Sequence, residues 1–242
     1  MPTLKFDVSD ALAEGDVRSQ PAYSAALAGR YLNIPVSTIN AWFFGMPYGR
    51  RGQKKHFEPV LSPADSTSKL LSFENLGEAL VFRTFRRNHN LALPMIREAL
   101  EKVSEKLGIQ RPLVHHVFFT DGARLFVEHA GKYIDAQRFD QLLLPDAQLV
   151  MNRIEWNQDN DEMRRLFPIT RSSYADSPKI IVIDPEFAFG ATTIVDRGIP
   201  TRPIRERWMA GESVHELSID YRCEPRAIEE ALRSEAKFSR AA

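Results

Sequence analysis

The residues that could do chemistry are few and poorly spaced for it. The six histidines are His56, His89, His115, His116, His129 and His215. None forms an H-x-x-x-H or H-E-x-x-H pair, and the adjacent His115 and His116 would point to opposite faces of a strand, so no zinc site is expected. The single cysteine, Cys223, excludes an intramolecular disulfide and every multi-thiolate metal site. Arg222 and Arg226 beside it could lower its pKa, but a buried turn residue is the plainer reading. Asp159, Asp161 and Glu162 lack the glycine and the spaced glutamate of a calcium loop, which leaves a solvated acidic turn. No G-x-S-x-G elbow and no phosphate-binding P-loop is present. The expectation is a protein that is not an enzyme, with no catalytic residues, no metal and no cofactor.

Charge points to another kind of function. The 242 residues carry 32 Lys/Arg and 32 Asp/Glu, a formal charge of zero, which speaks at first against a nucleic-acid partner. The balance is uneven along the chain: −3 over residues 1–17, +7 over 18–112 and −4 over 113–242. Such asymmetry is expected where one part meets a polyanion and another part does something else. The densest basic stretch is Gly49-Arg50-Arg51-Gly52-Gln53-Lys54-Lys55-His56. Its G-x-x-G resembles an RNA-binding KH loop, but Pro47 and Pro59 bracket it where that loop joins two helices. A wing or surface loop fits better.

The elements that must position this segment can be read locally. Ser24 is placed to cap a short helix over Ala25–Leu32, and Asn33 can adopt the left-handed conformation that ends it. Pro35 keeps Ile34 out of the helix, and a second helix over Ser37–Phe44 is stopped by Gly45 and Pro47. Two short helices joined by about four residues have helix-turn-helix spacing. Ile39 and Trp42 would face the core. That leaves Val36, Ser37 and Asn40 outward, where Asn can pair with adenine and Ser with a base or a phosphate. Ser37 and Asn40 are therefore the candidate base-reading residues, and Arg50, Arg51, Lys54 and Lys55 the candidate phosphate contacts.

Farther on, apolar spacing predicts helices over Leu70–Arg87 and Ala92–Leu107. The Asp121-Gly122 pair predicts a β meander over 114–135, and residues 138–165 read as partly helical. Ile180–Ile183 is a short buried strand. Ile204–Met209, Val214–Ile219 capped by Ser213, and Pro225–Glu235 make a second three-helix unit. Glu229 and Glu230 on its last helix would repel phosphate, favouring protein contact or core packing there. No apolar run reaches the roughly 20 residues of a membrane span, and the first 20 residues lack a signal peptide's apolar core, so a cytoplasmic location is expected.

Three stretches together resemble a known family. Tyr23 through Gly45 looks like the MerR-type winged helix of a group of VapB-like antitoxins. Leu71–Leu80 with Arg86, Arg87 and Ile96–Leu100 resembles the helices that follow it. Ile183-Asp-Pro-Glu-Phe-Ala-Phe-Gly190, Gly198-Ile-Pro-Thr201 and Ala227–Leu232 are similar to a small uncharacterised domain carried by the same antitoxins. The resemblance implies a type II antitoxin that inhibits a PIN-domain ribonuclease toxin and represses its own operon by binding operator DNA, as a homodimer. PIN-type sites are acidic clusters holding Mg²⁺, and related antitoxins insert an arginine there; Arg202, Arg205, Arg207, Arg222 and Arg226 are the candidates for toxin binding. The sequence departs from the family at the turn glycine, here Asn33, and at the basic recognition-helix positions, here Val36 and Asn40. The alternative is a MerR-like transcriptional regulator that senses a small ligand within 113–170 and has no toxin.

The expected architecture is mainly α with a small β meander. It comprises an N-terminal winged helix-turn-helix domain with its following helices (18–112), a β-hairpin plus helix linker or dimerisation region (113–168), and a C-terminal helical antitoxin-associated unit (169–242).

Overall fold

A computed structural model describes residues 16–48, 55–89, 93–118, 149–171 and 177–236. Strand β1 (Tyr23–Ser24) pairs antiparallel with β4 (Leu70–Leu71) and leads into α1 (Ala25–Leu32). The Ser24 side chain accepts from the Leu27 N–H at 3.2 Å, closing the first turn of α1. Asn33 ends the helix in the left-handed region (φ 54°), and Ile34 N–H donates back to the Gly29 carbonyl at 2.8 Å. Helix α2 (Val36–Phe44) follows at once and stops at Gly45, whose φ of 71° suits a residue without Cβ. Strands β2 (Met46–Tyr48) and β3 (Lys55–Phe57) then form an antiparallel hairpin.

Helices α3 (Phe73–His89) and α4 (Leu93–Leu107) pack beneath this unit, and Gly108 (φ 68°) ends the second. One apolar core joins α1 to α4: Leu32, Ile39, Phe43, Leu76, Phe82, Ile96 and Val103 are all at most 1% exposed. Trp42 meets Phe82 edge to face, with ring centroids 4.8 Å apart. The same core continues into Ile154, Met163 and Leu166. At Gly77 an added Cβ would stand 2.7 Å from the end of the Met163 side chain and 2.8 Å from Val114, so the absence of a side chain there lets these residues pack close against α3.

The central region differs from the expected pattern. Residues 112–114 form a 3₁₀ turn and 116–118 a helical turn, where a strand was expected from Val117. The Asp121-Gly122 hairpin and the rest of the meander lie outside the described residues. Where residues up to 165 read as helical, the chain instead makes β5 (Ile154–Trp156) and β6 (Met163–Leu166). The acidic segment between them is their turn: Asn157 Oδ1 accepts from Asp159 N–H at 3.0 Å, and Asp161 takes a positive φ of 57°. Strands of three and four residues are too short to show a period of two in sequence.

These strands open a five-stranded antiparallel sheet in the order β5-β6-β7-β8-β9, completed by β7 (Ile181–Ile183), β8 (Thr192–Ile194) and β9 (Ile199–Pro200). The fold among the described residues is therefore mixed α/β, not mainly α. Helices α5 (Thr201–Met209), α6 (Val214–Asp220) and α7 (Pro225–Ala236) pack on one another and on β7 and β8 around Ile181, Ile194, Ile204, Leu217 and Ile228. Ser213 and Glu216 form a reciprocal capping box at the start of α6.

Candidate functional site

The N-terminal unit places its candidate residues through tight local packing. A Cβ at Gly29 would come 2.7 Å from the Ile34 carbonyl oxygen, so the turn between α1 and α2 depends on that glycine. With Ile39, Trp42 and Phe43 buried, α2 turns Ser37 fully outward and leaves Asn40 half-exposed. No charged residue lies on α2, and no side chain caps its N-terminus at Pro35.

The hairpin base is fixed to the end of α2. Val60 and Leu61 N–H groups both donate to the Trp42 carbonyl, at 2.9 and 3.0 Å. Arg97 on α4 donates to the carbonyls of Glu58 and Pro59, at 2.9 and 2.8 Å. Lys55 occupies β3 opposite Tyr48. Arg50, Arg51 and Lys54 lie outside the described residues.

The five C-terminal arginines are not gathered into one cluster. Arg202 is 83% exposed on α5 and pairs with Glu206 one turn on, at 2.9 Å. Arg205, on the same helix, is half-buried. Arg207 is already engaged within the unit: it bonds both Glu212 and Asp220, and its guanidinium lies over the Tyr221 ring at 5.0 Å. Those carboxylates raise its pKa further above the ordinary arginine value. Arg222 and Arg226 are exposed at the corner between α6 and α7, and among the described residues neither makes an ion pair. Cys223, between them, is 9% exposed in the C-terminal core, and burial pushes its thiol up. That environment makes an inert packing residue rather than a reactive one.

A further set of charges was not apparent from sequence. Glu235 on α7 is 4% exposed; it accepts from Arg30 of α1 at 2.7 Å and from the Thr201 hydroxyl at 2.6 Å. Glu230, for which the sequence left protein contact or core packing open, is fully buried. It accepts from Thr170 at 2.8 Å and is bonded by Arg171 and Arg233. Burial works to raise its pKa, but these donors outweigh burial and hold the carboxyl below its usual range. For Glu235 the available signal was its place on the helix face that carries Ile228 and Ala231; Glu230 lies off that face and gave none. Their partners come from α1 and from residues 170–171, which helix periodicity does not register.

Two features elsewhere have geometry of interest. A hollow of about 680 Å³ lies behind the hairpin base, lined by Val60, Leu61, Glu78, Arg97, Leu100 and Leu113. Burial pushes the Glu78 carboxyl up to about 7, although Arg111 and Asn75 each donate to it at 2.7 Å. No helix among the described residues is long and apolar enough to cross a membrane. Among the same residues no group of three or more His, Cys, Asp or Glu is placed to hold a metal ion.

The likenesses to known proteins run along most of the chain. A family described as "Protein of unknown function (DUF433)" matches residues 181–233, which span β7 to α7. A Mycobacterium tuberculosis protein named "Putative antitoxin VapB45" is 25% identical over 249 aligned positions, covering 95% of both chains. A second protein of that organism, named "Uncharacterized protein Rv2308", is 23% identical over 89% of this chain and 90% of its own length. The crystal structure of Rv2018 from Mycobacterium tuberculosis superposes with a TM-score of 0.62 at 20% identity, covering 88% of this chain and 97% of that one, and shows a shared fold. The chain is thus similar, over nearly its whole length, to a protein that carries the name of an antitoxin.

Proposed function

We propose that this protein is the antitoxin of a toxin–antitoxin pair, binding and inhibiting a PIN-type ribonuclease and repressing its own operon through the α1–α2 unit. The observation that carries the reading is the end-to-end likeness to a protein named as an antitoxin. The proposal includes a division of labour. In this reading Ser37 and Asn40 on α2 read bases, while Lys55 of β3 and the basic residues Arg50, Arg51 and Lys54 that precede it in sequence contact phosphates, as in a winged helix-turn-helix dimer. Arg202, Arg205, Arg222 and Arg226 are the arginines offered to the toxin. Arg207 is the weakest of the five, because two carboxylates, Glu212 and Asp220, already hold it, against the single exposed pair of Arg202 with Glu206. The protein does no chemistry of its own in this reading.

The test is co-expression with the product of the neighbouring reading frame. Rescue of growth and co-purification are expected; a neighbour that is harmless, or toxic and unrelieved, defeats the proposal. On DNA, a Ser37→Ala/Asn40→Ala variant loses operator preference but keeps nonspecific binding. Neutralising Arg50, Arg51, Lys54 and Lys55 weakens binding to every sequence and flattens its salt dependence.

A second reading has one observation in its favour. The hollow behind the hairpin base falls within the size range of small-molecule sites, and Arg97 in its wall holds the carbonyls of Glu58 and Pro59. A ligand there would act on the hairpin directly, as in a ligand-sensing regulator without a toxin.

A further inference from the structure

The segment Asp184–Gly190 holds an aromatic ring in water on an unfavourable backbone. Ala188, Phe189 and Gly190 have consecutive φ values of 48°, 53° and 70°. The first two are L-residues in the left-handed region, where Cβ crowds the carbonyl oxygen. Phe189 is completely exposed, and Phe187, 52% exposed, lies against Gly198. A conformation of this kind persists only when its surroundings over-determine it. Here they do. Asp184 accepts from Arg165 at 2.7 Å and from Glu186 N–H at 3.0 Å. Gly190 N–H donates to the Phe187 carbonyl at 3.0 Å, and the Gly190 carbonyl accepts from the buried Tyr23 hydroxyl at 3.1 Å. A Cβ at Gly190 would overlap that hydroxyl. The whole turn is braced, yet the Phe189 ring packs against none of the described residues.

The charges beside the turn indicate what the ring meets. Glu186 is exposed three residues before Phe189 and shares a hollow of about 380 Å³ with Asp16, Arg18, Asp159 and Arg164. Arg18 is neutralised there by Asp16, at 2.6 Å, and by Glu162. Asp159 and Glu186 then stand against Arg164 alone, so the surface is negative and unsuited to a phosphate backbone. A groove that binds RNA has the opposite character, with basic side chains along the backbone path and slots in which bases stack on flat groups.

We propose that Phe189 occupies a base-stacking slot in the RNA groove of the partner ribonuclease, with Glu186 and Asp159 meeting the basic side chains that would hold phosphates. This inference rests on the antitoxin reading and adds to it the place on both molecules where they meet. An exposed aromatic on a rigid support is the usual form of a binding hot spot, because little entropy is lost when it docks.

The test uses the full-length protein and the neighbouring reading frame's nuclease, with affinity measured by calorimetry. Phe189→Ala is expected to weaken binding about thirtyfold or more while leaving the melting temperature in place, and Phe189→Tyr to stay within a few-fold of wild type. Glu186→Lys/Asp159→Lys should weaken binding and reduce its salt dependence. A short 2′-O-methyl RNA oligonucleotide, which resists cleavage, should compete with the wild-type protein. If Phe189→Ala binds as tightly as wild type, the anchor is refuted while the antitoxin reading stands. If the wild-type protein does not bind the nuclease at all, both fall. Loss of affinity without competition by the oligonucleotide overturns the groove assignment. A loss of operator affinity in place of nuclease affinity overturns the class of partner.

Discussion

Helix α2 and helix α5 both turn a face to solvent, and they furnish those faces in opposite ways. The outward side of α2 carries Ser37 and Asn40 and no charge, whereas the nine residues of α5 include Arg202, Arg205, Glu206 and Arg207. Charge on α5 is already in use: Arg202 and Arg207 both meet carboxylates of their own unit. Uncharged hydrogen-bonding groups on α2 have no such competitors, so a partner meets them without first breaking an internal pair. Counting arginines therefore overstates what α5 has to offer. The charges that join the two regions, Arg30 and Glu235, are buried instead, at 7% and 4% exposure.

The largest expected effect separates this buried pair from the surface pairs. Glu235→Ala should cost about 3–5 kcal/mol of stability in urea unfolding, because Arg30 is left charged and buried. The Arg30→Met/Glu235→Leu double variant should recover most of that loss. A cost below about 1 kcal/mol for Glu235→Ala would mean that the pair does not tie α1 to α7.

Next, Gly29→Ala should cost roughly 1–3 kcal/mol, since the methyl group forces the α1–α2 turn apart at the Ile34 carbonyl. Operator binding should fall more steeply than stability, whereas nuclease binding through the C-terminal unit should be spared. Equal loss of both activities would show that the two regions are not separable.

The third effect concerns pH, and it is the smallest only when counted per pH unit. The Glu78 carboxyl is pushed up to about 7 in the folded protein, so the folded state holds that proton more tightly than the unfolded chain does. Its contribution to stability is therefore fully present below about pH 4.5 and is lost as pH rises toward about 7, by on the order of 1 kcal/mol per pH unit. Glu78→Gln should remove this slope from thermal melts taken between those pH values. A slope unchanged in the variant would assign it to other groups.

How much could be read in advance depended on the range of the interactions. The capped helices α1 and α6 follow from Ser24, Asn33 and Ser213 acting on residues within one turn, and the buried face of α2 from the spacing of Ile39, Trp42 and Phe43. The β5–β6 hairpin did not show, because its strands are short and its acidic turn resembles a break between helices. Whether Glu230 meets a partner or the core stays open in the sequence for a related reason. A carboxylate's burial is decided by which donors reach it, and Thr170 and Arg171 are 60 and 59 residues away.

By itself, the amino-acid sequence determined the local matters: where helices begin and end, which face of each is apolar, and that charge divides unevenly along the chain. Those depend on contacts within a turn or two. Tertiary structure alone decided that short strands from distant segments align into one sheet, that α1 and α7 share a buried ion pair, and that Phe189 stands in water on a left-handed turn held by Tyr23. Each of these needs groups brought together across many residues, at an entropic cost that only the cooperative packing of the whole chain offsets.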